Sequence, residues 1–132
     1  MNNKKTVIFD LDGTLANIDA RRKIATKQNG KLDWNIFLDP DNIKLDVPNK
    51  PVIKMAQLFA EDGFNVIIFS GRSDNTINTT RSWLIHNKIP FHKLVMRDQD
   101  RTFMSDDRLK KQFLDTHADI DDIRSEEHTS EL

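Results

Sequence analysis

The most informative segment for the fold is Thr6-Val-Ile-Phe-Asp10-Leu-Asp12-Gly13-Thr14, near the start of the 132-residue chain. Its apolar run Val-Ile-Phe is short, rich in β-branched residues and uncharged, which predicts a strand buried on both faces, as in parallel sheets. The Asp-Gly turn that follows ends this strand at two carboxylates. We therefore expect Asp10 and Asp12 at the carboxyl end of a parallel strand, where open α/β sheets bind their ligands.

Strands and helices alternate along the rest of the chain. Apolar runs predict three further strands, at Asn65–Phe69, Leu94–Met96 and Ala118–Asp121. Helical spacing of apolar residues and capping signals predict helices between them, at about Val52–Ala60, Asp74–Asn87 and Asp106–Leu114. This order predicts an α/β fold with a doubly wound, Rossmann-like parallel sheet.

A polar segment, roughly Asn17 to Asn49, separates the first strand from the rest of this pattern. It contains a helix-compatible stretch from Asp19 to about Asn29, with Gly30 as its stop, and a shorter one at Trp34–Leu38. We interpret the segment as a small cap inserted over the carboxyl end of the first strand. Its small size would leave that end of the sheet open to a large ligand.

Composition limits the classes of protein to consider. The chain has room for one compact domain, and its 20 basic and 21 acidic residues nearly cancel. The absence of cysteine excludes disulfides, thiolate metal sites and cysteine nucleophiles. No apolar stretch reaches the roughly 20 residues needed to cross a bilayer, and no secretory segment follows the N-terminus. We expect a soluble, cytoplasmic protein.

The two strand-end carboxylates predict phosphoryl-transfer chemistry. Asp10 and Asp12 repel each other, and a hard divalent cation that prefers oxygen ligands, Mg²⁺, relieves that repulsion. With charge neutralised, Asp10 can attack phosphorus and form an aspartyl-phosphate, while Asp12 protonates the leaving oxygen. The sequence therefore predicts a magnesium-dependent phosphohydrolase with Asp10 as its nucleophile.

At this point the chain resembles the haloacid dehalogenase-like superfamily of phosphatases, whose first motif is Asp-x-Asp-Gly-Thr. Ser70, after the second main strand, stands where that superfamily places a Ser or Thr that holds phosphoryl oxygens. Lys110 is the candidate for its phosphate-neutralising lysine. Asp121 and Asp122 resemble its acidic metal motif. The resemblance implies a metal site formed by Asp10, Asp12, Asp121 and Asp122.

Within that superfamily the chain is similar to the 3′-phosphatase domains of phage polynucleotide kinases, over residues 6–122. The similarity rests on short motifs in the same order: Asp10-Leu-Asp-Gly-Thr-Leu-Ala16, Phe69-Ser-Gly-Arg72, Thr80-Arg-Ser-Trp-Leu84, Leu94-Val-Met-Arg97, Asp106-Asp-Arg-Leu-Lys110 and Ile120-Asp-Asp122. It implies a nucleic-acid repair enzyme that binds 3′-phosphate ends. The implied substrate-binding residues are Thr14, Ser70, Gly71, Arg72 and Arg97, with Arg81 as a further candidate.

Other functions stay open at this stage. Relatives usually carry an arginine two residues before the first Asp of Asp-Asp-x-x-Lys, whereas this chain has Met104 there and Arg101 as its nearest upstream arginine. A phosphatase of small phosphorylated metabolites is the first alternative. A receiver-like module that accepts phosphate without turning it over is the second.

Residues 81–111 carry eight Lys or Arg against four Asp, which fits a nucleic-acid track or a solvated helix face.

The last nine residues have a composition of their own. Arg-Ser-Glu-Glu-His-Thr-Ser-Glu-Leu, residues 124–132, matches the translation of a common sequencing-library adapter codon for codon. We interpret residues 1–123 as a C-terminally truncated phosphatase domain and 124–132 as an artefactual tail, so His128 is not predicted to bind a metal.

Overall fold

The computed structural model describes residues 5–97, 108 and 111–112, and the backbone of 123–126. Six strands are present in these parts of the chain: β1 (Thr6–Asp10), β2 (Ala16–Asn17), β3 (Val47–Pro48), β4 (Asn65–Ser73), β5 (Lys93–Arg97) and β6 (Ile123–Glu126). Five α-helices accompany them: α1 (Asp19–Ala25), α2 (Trp34–Phe37), α3 (Pro40–Ile43), α4 (Lys50–Glu61) and α5 (Ile77–His86). A 3-10 turn, Asp74–Thr76, precedes α5.

The main sheet has four parallel strands in the order β5-β4-β1-β6. The chain leaves β1 for β4 and β5 on one side and then returns to β6 on the other side. This reversal makes β1 the switch point of a doubly wound sheet, which is where such sheets bind ligands. The predicted fold class is confirmed, and the carboxyl end of β1 lies at the expected position.

The core lies on and beside the central strands. Val7, Phe9, Val66 and Ile68 from β1 and β4 are completely buried and belong to one apolar cluster with residues of α4 and α5. Helix α4 ends as its sequence predicts, because Gly63 adopts a positive φ of 89° and Phe64 N donates to Phe59 O at 3.0 Å.

We expect Ile68→Ala to destabilise the fold by about 2–5 kcal/mol, because the substitution leaves a cavity in the centre of β4. Urea unfolding followed by circular dichroism measures the change. Ile85→Ala is the matched control, since Ile85 is 63% exposed. A loss at Ile68 no larger than the loss at Ile85 would contradict the position of the core.

The segment that runs from the end of β2 through β3 forms a small unit, which we call the insertion (residues 17–49). Its ends are joined by antiparallel pairing of β2 with β3, in which Ala16 is opposite Pro48. It contains α1, α2 and α3, of which α3 was missing from the sequence prediction. Asp39 caps α3 by accepting a hydrogen bond from Asp41 N at 2.9 Å.

Helix α1 is shorter than predicted. It ends at Ala25 rather than near Asn29, because Thr26 adopts an extended conformation and pairs with Leu32 across an antiparallel bridge. Gly30, with φ of 82°, belongs to the turn between these two residues rather than to the end of the helix. A local hairpin therefore replaces the last predicted turn of α1.

The C-terminal elements differ in part from the prediction. The predicted strand at 118–121 lies outside the described residues, and the strand beside β1 is β6 at Ile123–Glu126. Residues 124–126 of the predicted adapter-derived tail thus form part of β6, while the origin of that tail stays a prediction. For the predicted helix 106–114, the described residues Arg108, Lys111 and Gln112 are helical.

Candidate active site

The site begins where β1 ends. Asp10 is the last residue of β1, is partly buried, and lies opposite Phe69 of β4 in the parallel register. Ser70 follows Phe69 directly, so the second motif of the sequence lies beside the first at one edge of the sheet. The register of β4 with β5 shifts between Phe69 and Ser73. This irregularity lies at the position from which Arg72 reaches the neighbouring strand end.

A tight turn carries Asp12 just beyond β1. Leu11 O accepts hydrogen bonds from the backbone N–H groups of Leu15 and Ala16, each at 3.0 Å, and Gly13 takes a φ of 81°. A side chain at Gly13 would strain this backbone, because residues other than glycine rarely adopt that conformation. The turn leaves the Asp12 side chain 25% exposed beside Asp10.

Arg72 holds the Asp12 carboxylate with two nitrogens. Its Nε donates to Asp12 Oδ1 at 3.0 Å and to Oδ2 at 3.2 Å, and its Nη2 donates to Oδ1 at 2.5 Å. Its Nη1 donates to Thr80 Oγ1 of α5 at 3.1 Å. The Arg72 side chain is almost fully buried. A planar guanidinium held in this way fixes the orientation of the carboxylate that it contacts.

A second arginine reaches Asp12 from the insertion. Arg21 of α1 is completely buried, and its Nη2 lies 3.1 Å from Asp12 Oδ1. Its Nε and Nη2 donate to Asp46 Oδ1 and Oδ2 at 2.9 and 3.0 Å. Its Nη1 donates to Phe37 O at 2.9 Å, and its guanidinium carbon lies 4.2 Å from the centre of the Phe37 ring. The insertion is therefore bonded directly to the candidate acid.

Asp46 completes the arrangement, which we call the buried charge cluster (Asp12, Arg21, Asp46 and Arg72). Arg72 Nη2 donates to Asp46 Oδ2 at 2.8 Å, so each arginine contacts both carboxylates. Trp83 Nε1 of α5 donates to the backbone carbonyl of Asp46 at 3.1 Å. Burial raises the pKa of the Asp46 carboxyl, while the hydrogen bond from Arg21 and the charges of both arginines oppose that rise.

Arg21 and Asp46 are functional candidates that sequence reasoning missed. Arg21 was counted with the polar face of α1, and Asp46 lies in an irregular stretch before β3. The available signal was weak: Arg21 is followed by two further basic residues, Arg22 and Lys23, and both of these are exposed. Only the tertiary contacts of Arg21 with Asp12 and Asp46 distinguish the first of the three from the others.

Four of the predicted substrate-binding residues make hydrogen bonds with other parts of the chain: Thr14, Ser70, Gly71 and Arg97. Thr14 is completely buried, and its backbone carbonyl accepts from Asn49 Nδ2 at 2.9 Å. Ser70 is 2% exposed, and its Oγ accepts from Arg72 N at 3.1 Å. Gly71 O accepts from Arg97 Nε at 3.0 Å, which brings the ends of β4 and β5 together. Their contacts with substrate stay predictions.

Arg72 and Arg81, the two other arginines of the prediction, lie in different environments. Arg72 lies beneath Asp12, where it supports that carboxylate, and Arg81 lies exposed on α5. Lys110, Asp121 and Asp122 lie outside the described residues. The convergence of these three on Asp10 and Asp12 therefore stays a prediction.

Asp10 and Asp12 are the two predicted metal ligands within the described residues. Within the described ranges no group of three or more His, Asp or Glu side chains could hold a metal ion. Asp12 Oδ1 receives three described N–H donors, whereas Oδ2 receives one, from Arg72 Nε. A carboxylate offers about four acceptor positions, so Oδ2 retains capacity. The all-oxygen donors present fit Mg²⁺, as a partial site.

Comparisons with known proteins agree with this geometry. The doubly wound sheet with a strand-end Asp-x-Asp turn is that of the haloacid dehalogenase-like phosphatases. Residues 4–121 match the family described as the polynucleotide kinase PNKP phosphatase domain. The chain belongs to this family.

Two solved structures are similar to the chain at 27% sequence identity. One is described as a Pnkp1/Rnl/Hen1 complex, with a TM-score of 0.65 over 92% of this chain. The other is described as the Pnkp1/Rnl/Hen1 RNA repair complex, with a TM-score of 0.66 over 93% of this chain. The chain spans 37% and 34% of the matched chains, respectively. In the described part of the chain, no helix has the length and apolar character needed to span a membrane.

Proposed function

We propose that this chain is a phosphomonoesterase that removes the phosphate from 3′ ends of nucleic acid through an aspartyl-phosphate on Asp10. The observation that carries the proposal is the fixed orientation of Asp12, two residues beyond the end of β1, by arginines from two separate segments. An Asp in a solvated surface turn has no need of two buried guanidinium partners. A residue that must face a reacting atom in one orientation does.

Asp10 supplies the nucleophile. One of its carboxylate oxygens attacks phosphorus, the new bond from that oxygen to phosphorus forms, and the bond from phosphorus to the 3′ oxygen breaks. Water then attacks phosphorus, so the bond to Asp10 breaks and inorganic phosphate leaves. The position of Asp10 at the carboxyl end of β1, beside Ser70 on β4, supports this role.

Asp12 transfers the protons. We assign the exchanging proton to Oδ2, because Oδ1 is occupied by three N–H donors from Arg21 and Arg72. Oδ2 gives its proton to the departing 3′ oxygen in the first step and takes one from the attacking water in the second. The same carboxyl therefore serves as general acid and then as general base.

The remaining predicted residues have supporting roles in the proposal. Asp10, with Asp121 and Asp122, would hold Mg²⁺, which neutralises negative charge when it is bound. Asp12, which the sequence also predicted as a ligand, would not offer a side-chain oxygen to the metal while its Oδ2 carries the proton. Lys110 and Ser70 would contact phosphoryl oxygens, and Thr14, Gly71 and Arg97 would shape the phosphate pocket. Arg72 acts through Asp12, which it contacts directly. In this proposal the insertion serves as a small cap.

The substrate class rests on family membership and on the similar chains. The family is described as the polynucleotide kinase PNKP phosphatase domain, and one similar structure is described as the Pnkp1/Rnl/Hen1 RNA repair complex. A phosphatase of small metabolites has no comparable support. A receiver-like module accepts phosphate without turning it over, so it would not need Asp12 as an acid and base. In this chain two buried arginines orient Asp12.

The deciding experiment measures phosphate release from a 3′-phosphorylated oligonucleotide, a 5′-phosphorylated oligonucleotide, nucleotides and sugar phosphates, using the full-length natural protein with Mg²⁺ and with EDTA. We expect the highest kcat/KM for the 3′-phosphorylated oligonucleotide and no turnover in EDTA. A preference for sugar phosphates would overturn the substrate assignment. Stable phosphorylation of Asp10 without turnover would support the receiver-like alternative instead.

A further inference from the structure

The insertion exposes an aromatic side chain that the proposed chemistry does not use. Trp34, the first residue of α2, is 62% exposed, whereas Trp83 is 8% exposed. Five of the seven large apolar side chains exposed in the described residues belong to the insertion or its edge: Ile24, Trp34, Ile36, Leu45 and Val47. Single exposed apolar residues are ordinary, but a concentration of them in one small unit indicates a contact surface.

The Trp34 ring packs on Phe37, which connects it to the buried charge cluster. Its centre lies 5.5 Å from that of Phe37, with the two rings perpendicular. Phe37 in turn lies against the guanidinium of Arg21, whose Nη2 contacts Asp12. The exposed ring is therefore three side-chain contacts from the candidate general acid. A ring supported in this way loses little freedom when a ligand stacks on it.

Positive charge is concentrated in the first half of the same unit. Residues 19–31 include five Lys or Arg and one Asp. Four of these cations are exposed, and no ion pair to them is present among the described residues: Arg22, Lys23, Lys27 and Lys31. A backbone hydrogen bond from Lys27 N to Lys31 O, 2.8 Å long, closes the turn within this basic stretch. A second, from Asp33 N to Ala25 O and also 2.8 Å long, joins the stretch to the residue that caps α2.

An exposed aromatic ring beside unpaired cations is the combination by which proteins bind single-stranded nucleic acid, through base stacking and phosphate contacts. The basic track of residues 81–111 contains Trp83, but that ring is buried against the core and is not available for stacking. We propose that Trp34 and the four exposed cations form a binding surface, the insertion platform, for the single strand that ends at the phosphate to be removed. This inference rests on the proposed function. It adds a contact with the nucleic-acid strand, whereas the residues of the proposed function act on the phosphate.

The kinetic test compares two substrates of the full chain: a 3′-phosphorylated single-stranded oligonucleotide and p-nitrophenyl phosphate, which has no nucleobase. We expect Trp34→Ala to raise KM for the oligonucleotide roughly 5- to 150-fold, the equivalent of ~1–3 kcal/mol per stacked base. Kinetics on p-nitrophenyl phosphate should not change. Trp34→Phe should restore most of the loss, and Leu58→Ala, at an exposed apolar position on α4, should behave as wild type.

A binding measurement separates this proposal from the proposed function. Titration with an unphosphorylated oligonucleotide should quench the tryptophan emission of the wild type, and Trp34→Phe should remove most of that response. Wild-type quenching without any hydrolysis would support the insertion platform while overturning the phosphatase assignment. Unchanged oligonucleotide kinetics in Trp34→Ala would overturn the platform, as would equal losses on both substrates. Self-association that Trp34→Ala abolishes, with oligonucleotide kinetics unchanged, would assign the surface to a protein contact instead.

Discussion

Asp10→Asn should lower phosphatase turnover by at least about 10⁴-fold, because an amide cannot act as the anionic nucleophile. The fold should persist, since Asn has nearly the same volume and Asp10 stands at the end of β1 rather than in its centre. Phosphate release under saturating 3′-phosphorylated oligonucleotide measures the loss. Thermal unfolding of the same preparation measures whether the domain is intact.

The matched control is Asp62→Asn, an exposed Asp that follows α4 at the opposite end of the sheet. Its turnover should equal that of the wild type. A trapped phosphoprotein provides an independent readout: acid quenching during turnover should capture phosphate on the wild type and none on Asp10→Asn. Undiminished magnesium-dependent hydrolysis by Asp10→Asn would exclude Asp10 as the nucleophile.

Arg21→Met should destabilise the chain by about 3–5 kcal/mol at neutral pH, because it leaves Asp46 buried with one guanidinium partner instead of two. It should also lower kcat, since Asp12 loses the partner that reaches it from the insertion. Urea unfolding measures the first effect and oligonucleotide turnover the second. Arg22→Met on the same helix is the control, because Arg22 is exposed.

The destabilisation caused by Arg21→Met should depend on pH in a defined direction. Burial already raises the pKa of Asp46 above 3.8, and Arg21 opposes that rise. Without Arg21 the folded-state pKa rises further, so the folded state binds this proton more tightly than the unfolded state does. The loss of stability caused by Arg21→Met is therefore largest above the folded-state pKa of Asp46 in this variant. It becomes smaller as the pH falls towards 3.8, because the buried carboxyl takes up a proton.

Unfolding measured at about pH 8 and about pH 5 should therefore show a smaller difference between Arg21→Met and wild type at the lower pH. The double variant Arg21→Met with Asp46→Leu should be more stable than Arg21→Met alone at the higher pH, because it removes the carboxylate that has lost a partner. A penalty that is independent of pH, with no recovery in the double variant, would show that the charges of the cluster do not set stability.

The chemistry-bearing end of β1 could be predicted because its signals are local. An apolar run of strand length, an Asp-x-Asp pair and a glycine turn all lie within Thr6–Thr14, and the structure has β1 and the turn in those positions. The order of strands and helices likewise predicted the parallel sheet, since short connections and handedness leave few topologies. Helix ends were less predictable, as α1 shows, because pairing of Thr26 with Leu32 competes with one more helical turn.

The partners of Asp12 were decided by tertiary structure alone. Arg21, Asp46 and Arg72 are 9, 34 and 60 residues away from it in the chain. The motif Phe69-Ser-Gly-Arg72 marked Arg72 as a site residue without indicating its partner, and nothing in the local sequence of Arg21 or Asp46 distinguishes them from solvated charges. Hydrophobic patterning specifies which helix face is buried, but not which charged side chain is carried into the interior with it. Local sequence signals predicted the sheet and the strand-end acids, and the family match supports the predicted class of chemistry. The orientation of the acid and the bonding of the insertion to it arise only when distant segments pack together, because buried charges are stable only where partners converge on them.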